Sequence, residues 1–320
     1  MKEGTSFSTS VKNELARLDL KDQGQMIAEL AGVVRLAGSL KLSSFRDLSL
    51  VLATENASCA RRYLSLLRRV YTDDVGVRVI KTGQVKTKNT YEIQLKDPGT
   101  LSLLLDDIAF LRDGNIFSAN YKTPASVIRS RDQGRAYIRG AFLGGGSVTD
   151  PEKGYHLEFV TGNQDLAGDL VYWLKSLGFS GKITHRKEKQ VVYIKEAEEI
   201  SDLLALMGGG QSVLKFEDVR VVKDLRNYVN RRVNFETANL NKTVKASIRQ
   251  LENIKFLEEK IGLGKLPSQL QEVAKLRKAY PEASLQEIGS YLDPAVGKSG
   301  INHRFKKIDE MANKLRRDIE

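Results

Sequence analysis

The chain has 320 residues, 41% of them hydrophobic and 28% charged, with six prolines. At about 150 residues per domain this predicts two folded domains and excludes a disordered or collagen-like polypeptide. The 51 basic side chains outnumber 40 acidic ones, a net of +11. That balance favours phosphate-bearing partners.

The first feature in chain order is a repeat. Glu29-Leu-Ala-Gly-Val-Val-Arg-Leu-Ala-Gly-Ser39 matches Tyr137-Ile-Arg-Gly-Ala-Phe-Leu-Gly-Gly-Gly-Ser147, with Leu30/Ile138, Gly32/Gly140, Gly38/Gly146 and Ser39/Ser147 all 108 residues apart. Downstream, Thr54/Thr161 and Asn56/Asn163 lie 107 apart, a slip that a hairpin loop absorbs. Small residues at helical spacing in both segments let two helices approach closely. After each Asn, apolar residues recur at helical spacing, through Tyr63, Leu66, Leu67 and Val70 or through Leu166, Leu170, Trp173, Leu174 and Leu177. Two β-rich runs follow in each half, Val75–Ile80 with Tyr91–Leu95 and Ile183–His185 with Val191–Ile194. A closing helix is predicted near Gly99–Leu105 and Glu196–Met207. The order helix, two strands, helix, two strands, helix is written twice, which predicts a duplicated α+β domain over residues 1–219, with repeats at about 20–120 and 121–210.

Residues 220–264 are read as a linker and connecting helix. Five asparagines among arginines in Arg226–Asn241 predict a loop, because Asn is a poor helix former. Its Arg226, Asn227, Asn230, Arg231, Asn234, Asn239 and Asn241 either hold domain orientation or meet a phosphate backbone. From Asn241 to Ile261, apolar residues at steps of three or four predict a helix that Gly262 and Gly264 end.

Residues 265–320 predict an all-α domain. Residues 220–320 hold 21 basic against 13 acidic side chains, whereas residues 1–219 hold 30 against 27. One helix spans Pro267–Ala279. A second opens with the capping box Ser284-Leu-Gln-Glu287, and a third runs from about Ser299 to Leu315. Ile301, Phe305, Ile308, Ala312 and Leu315 make one buried stripe on that third helix. At about 100° per residue the opposite face carries Ser299, His303, Lys306 and Lys307, with Asn302 at its edge. A helix-turn-helix recognition helix presents such a face to base edges. The candidate DNA-binding residues are Ser284, Lys298, Ser299, Asn302, His303, Arg304, Lys306 and Lys307.

The paired segments resemble degenerate LAGLIDADG motifs, named for a class of homing endonucleases. Together with the run Val11-Lys12-Asn13-Glu14-Leu15, the asparagine-rich connector and the C-terminal Ser284-Leu-Gln-Glu-Ile-Gly and Lys298-Ser-Gly-Ile-Asn-His-Arg, they resemble the WhiA family of bacterial transcriptional regulators over essentially the whole chain. The resemblance implies a two-repeat αββαββα saddle followed by a helix-turn-helix similar to region 4 of sigma factors. It also implies a role in transcription connected with cell division and, in sporulating actinomycetes, with sporulation septation.

Active LAGLIDADG enzymes place a metal-holding carboxylate near the end of each motif helix, beside the scissile phosphates. The aligned positions here are Ala37 and Gly145, neither of which ligates metal, so no endonuclease activity is expected. Asp150 lies five residues past the second position and has no counterpart in the first motif. His156, His185 and His303 lack metal-ligand spacing. Gly297-Lys298-Ser299 fails as a phosphate loop because Leu292 stands where glycine is required. No metal and no cofactor is expected. Lys81, Lys86, Lys88, Arg186, Lys187 and Lys189 cluster on the third and fourth strands of the two halves, a possible second DNA surface or a guard against edge-strand aggregation. The expected partner is double-stranded DNA, with the transcription machinery or another regulator as a further one. In the alternative reading the saddle senses a protein or ligand and the helix-turn-helix reads DNA.

No apolar run reaches the roughly 18 residues of a membrane span, and residues 1–15 lack the apolar stretch of a signal peptide. A single cysteine, Cys59, excludes an internal disulfide. The expected location is the cytoplasm, in association with the nucleoid.

Overall fold

Two compact units divide the chain at Met1–Lys223 and Asp224–Glu320. The computed structural model describes residues 5–42, 48–82, 88–112 and 115–319. In the first unit a short helix α1 (Phe7–Leu15) precedes the first repeat. That repeat comprises α2 (Gln23–Ala37), β1 (Gly38–Leu42), β2 (Leu48–Thr54), α3 (Ala57–Val70), β3 (Gly76–Thr82), β4 (Lys88–Leu95) and α4 (Pro98–Asp107). After a small hairpin, β5 (Leu111–Arg112) and β6 (Asn115–Ala119), the second repeat follows. It comprises α5 (Arg131–Gly145), β7 (Gly146–Val148), β8 (Leu157–Thr161), α6 (Gln164–Ser176), β9 (Lys182–Arg186), β10 (Lys189–Ile194) and α7 (Ala197–Met207). The sheets have matching antiparallel orders, β1-β2-β4-β3 and β7-β8-β10-β9.

The sequence repeat has local causes. Thr54 Oγ1 accepts from the Asn56 N–H, and the Asn56 side chain caps α3 by accepting from the amides of Ser58 and Cys59. Thr161 and Asn163 do the same at the start of α6, through the amides of Asn163 and Leu166. Each Thr-x-Asn is thus a strand-to-helix corner with its donors satisfied. Gly32 and Gly140 lie where α2 and α5 cross. A methyl on Gly140 would meet the Glu29 carbonyl, and one on Gly32 would meet the backbone of Tyr137 and, at 2.6 Å, Ala141 N. Only glycine lets these two backbones approach so closely.

Charge is sealed into the same interface. Glu29 is fully buried between two guanidiniums: Arg62 Nε and Nη2 donate to its two oxygens at 2.6 and 3.0 Å, and Arg139 Nε donates at 2.7 Å. Arg139 also donates to the Met207 carbonyl, and Arg62 to that of Leu18. In the second repeat the equivalents of Glu29 and Arg62 are Tyr137 and Asp169, and the Tyr137 hydroxyl donates to Asp169 at 2.8 Å. Burial pushes both the Tyr137 phenol and the Asp169 carboxyl upward. Cys59 is buried as well, its thiol pushed up to about 11.

The loop expected over 226–241 is absent. One helix, α8, runs unbroken through Gly210–Ile261. Asn costs only a fraction of a kcal/mol, about 0.5, relative to Ala, and extending an existing helix adds one backbone hydrogen bond per residue. Val222, Leu225, Val229, Val233, Leu240 and Val244 keep the helical period through the stretch, and Arg232 pairs with Glu236 one turn on at 3.0 Å. Composition misled where period was right.

The second unit continues with a single turn at Leu263–Lys265, then α9 (Ser268–Ala279), α10 (Leu285–Ser290) and α11 (Lys298–Ile319). Gly262 leaves α8 at φ 80°, which favours glycine. Ile254, Leu257, Leu270, Val273, Ile288, Ile301, Phe305, Ile308 and Ala312 form a separate core.

Candidate nucleic-acid interface

The α10–α11 pair is set by two local devices. Ser284 Oγ accepts from the Glu287 amide at 3.2 Å, while Glu287 accepts from the Ser284 amide at 2.7 Å, the expected capping box. These bonds to Ser284 hold the Glu287 carboxyl below its usual 4.5. At the far end of α10 the Val296 amide donates to the Gly289 carbonyl at 2.9 Å. A methyl on Gly289 would strike the Val296 carbonyl, so only glycine lets the connection fold back.

That connection sends α11 across the core with the expected polarity. Ile301, Phe305, Ile308 and Ala312 are buried and Leu315 partly so, while Lys298, Ser299, Asn302, His303, Lys306 and Lys307 are exposed. Arg304 and Ser284 are half-buried. Lys306 has one loose partner, Glu310 at 4.0 Å, in an exposed pair of little strength. Its ammonium remains available to a ligand.

A residue missed at the sequence level holds the arrangement together. Arg277 on α9 is only 1% exposed. It donates to Gln250 Oε1 and to the carbonyls of Tyr280, Pro281 and Ala283, and its guanidinium lies 5.2 Å from the centre of the Phe305 ring. It thus ties α8, the α9–α10 turn and α11 into one block. Nothing in the local sequence separates it from the surface arginines counted as basic charge.

The saddle positions resolve differently. Ala37 and Gly145 are the last residues of α2 and α5. A methyl on Gly145 would stand 2.7 Å from Leu36 Cδ1, so apolar packing occupies that place. Asp150 accepts from the Glu152 amide and serves a turn after β7. Among the described residues no three His, Cys, Asp or Glu side chains gather as a metal set. His156 Nε2 donates to Glu158 at 3.0 Å, and its ring stacks on Tyr193.

Beside the end of α5 lies α1, and its run 11–15 has a task at every position. Val11 and Leu15 are fully buried. Lys12 Nζ donates to the Leu143 carbonyl at 3.3 Å, and Asn13 accepts from Asn56. Glu14 accepts from the amides of Gln211 and Ser212 and caps the start of α8. Burial pushes the Lys12 ammonium below its ordinary value.

Of the second basic cluster, Lys81 is exposed on β3 and Lys189 on β10, and Lys88 opens β4. Lys187, at φ 56°, forms the β9–β10 turn, and Arg186 meets Glu158 at 3.3 Å. Lys86 lies outside the described residues. The clusters occupy equivalent hairpins of the two sheets.

Three family models cover the chain: "WhiA N-terminal LAGLIDADG-like domain" matches residues 23–111, "WhiA LAGLIDADG-like domain" residues 134–226, and "WhiA C-terminal HTH domain" residues 229–312. "Probable cell division protein WhiA" of Clostridium acetobutylicum is 44% identical over 314 residues, covering 98% of this chain and 99% of that protein. The chain belongs to the WhiA family. Its namesake in Clostridium botulinum (strain Hall) is 42% identical over 98% of this chain and 100% of that protein. The crystal structure of full-length DUF199/WhiA from "Thermatoga maritima" is similar in fold, with a TM-score of 0.58 at 24% identity over 97% of this chain and 99% of that one. The WhiA assignment makes the two αββαββα repeats LAGLIDADG-like domains and places α9, α10 and α11 as far as residue 312 inside the WhiA helix-turn-helix domain. Among the described residues no helix is long and apolar enough to cross a membrane.

Proposed function

We propose that this protein is a sequence-specific DNA-binding transcriptional regulator serving cell-division control, and that it has no endonuclease activity. The supporting observation is the α11 face: Lys298, Ser299, Asn302, His303, Lys306 and Lys307 stand exposed opposite a buried apolar stripe, with α10 packed behind by Gly289 and Arg277. Asn and Lys at such positions hydrogen-bond adenine or guanine edges in the major groove, while Ser284, Lys298 and Arg304 suit the phosphate backbone. Loss of cleavage follows from Ala37 and Gly145 at the ends of the motif helices, where carboxylates would have to hold magnesium. The relatives' names supply the link to cell division. Location in the cytoplasm, at the nucleoid, goes with that role.

The test is a salt titration on promoter fragments enriched by genome-wide immunoprecipitation. Alanine at Asn302 or Lys306 should cost about 1–3 kcal/mol of discrimination between promoter and competitor. An equal loss on every sequence would reassign them to phosphates. The basic residues Lys81, Lys86, Lys88, Arg186, Lys187 and Lys189 form a second, weaker contact in this reading; their neutralisation should lower affinity broadly and flatten its salt dependence. Magnesium and plasmid should yield no cleavage.

A further inference from the structure

Between α1, the β2–α3 corner and the end of α5 lies a groove of about 860 Å³, within the ~300–1,000 Å³ range of ligand clefts. Its lining includes Ser6, Ser8, Lys12, Asn13, Asn56 and Ser147, together with Gly144 and Gly146, which flank the degenerate position Gly145. The hydrogen-bond capacity of these groups is lopsided. Ser8 Oγ accepts from the Val148 amide, Ser6 Oγ from the Thr9 amide, and Thr54 Oγ1 from the Asn56 amide. Asn13 accepts from Asn56 through its oxygen, which leaves its own NH₂ to donate.

Lys12 uses one of three N–H donors on the Leu143 carbonyl and, among the described residues, has no carboxylate within 4.0 Å. Ser147 Oγ donates to Glu158 and Ser6 Oγ shares a hydrogen bond with Thr9 Oγ1, so the donors facing the groove are the Ser8 hydroxyl, the Asn13 NH₂ and the remaining Lys12 N–H groups, around a cation with no counterion among the described residues. Glu55, exposed in the lining, is the one carboxylate there among the described residues. Among the described residues no aromatic ring lines the groove to stack a base.

The geometry points to an oxyanion seat centred on the Lys12 ammonium, which takes a phosphate group. The seat lies beside the end of the second motif helix, with an ammonium in the neighbourhood where a nuclease would hold metal. It goes beyond the proposed α11 reading and does not depend on it. Phosphate reaches the seat from one of two sources, a DNA backbone or a free phosphorylated small molecule.

The full chain is compared with Lys12→Met and Asn13→Asp, the second of which keeps the acceptor for Asn56 and adds a negative charge to the groove. Inorganic phosphate is titrated against chloride at equal ionic strength while the thermal midpoint is followed, and duplex affinity is measured against salt. The expected result is stabilisation of the wild type by phosphate, with the apparent affinity about tenfold lower or worse in both variants. Should Lys12→Met fail to fold, Asn13→Asp carries the comparison. If the duplex salt slope also falls by about one in the variants, the phosphate is DNA's; an unchanged slope with the phosphate response lost assigns a free ligand. Wild type and variants that respond alike to phosphate and share one salt slope overturn the seat.

Discussion

Glu29 is the residue on which the saddle's interior turns. Both its oxygens are held by guanidiniums that are themselves about 5% exposed, one from its own repeat and one from the other. Removing the carboxylate would leave two cations buried without a counterion. Glu29→Ala should therefore cost about 3–5 kcal/mol, read as a fall in the midpoint of chemical denaturation. Nothing at the sequence level marks this residue, because a glutamate within an Ala/Gly-rich helix looks like ordinary surface charge. Glu287 is the opposite case, an exposed residue whose role was legible from spacing alone. Its carboxyl is held low by Ser284, so the folded state favours the ionised form. The contribution is fully present above about 4.5 and is lost as pH falls through the lowered folded value. Glu287→Gln should separate from the wild type above that pH and converge with it below, as followed by the thermal midpoint of the second unit.

At the scale of elements, periodicity and capping carried most of the fold. The repeated Thr-x-Asn corners, the glycines at the α2–α5 crossing and the α11 stripe are all short-range signals with one structural solution. The connector failed because five asparagines outweighed a period that continued beneath them. Helix α8 makes a direct prediction there. Asn234→Ala should raise helicity and stability by about 0.5 kcal/mol, whereas Asn234→Pro should break the helix at a cost of about 3 kcal/mol or more. Circular dichroism that leaves both substitutions neutral would restore the loop. The groove beside α1 was not legible either. Its lining comes from segments more than 130 residues apart, and Lys12 was visible only as one member of a family-like run.

Across the whole molecule the two hydrophobic cores share no residue: the last member of one is Phe216 and the first of the other Ile254. Each core is large enough to be cooperative by itself, so calorimetry should resolve two unfolding transitions, with Glu29→Ala moving one and Glu287→Gln the other. A single transition shifted by both would show that the units melt together. This partition means that the LAGLIDADG-like repeats and the helix-turn-helix domain are stabilised by different residues.

The buried pairs at the α2–α5 crossing have diverged in opposite chemical senses, carboxylate with guanidinium on one side and phenol with carboxylate on the other. Arg139, the guanidinium that reaches across, stands where the first repeat has Ala31. Two first halves placed together would each strand Glu29 short of its second cation, and in two second halves Arg139 would meet Tyr137 where Glu29 stands. Neither copy can therefore mate with its own kind. The doubling has become a one-way commitment, in which each half is complemented by the other half and not by a copy of itself.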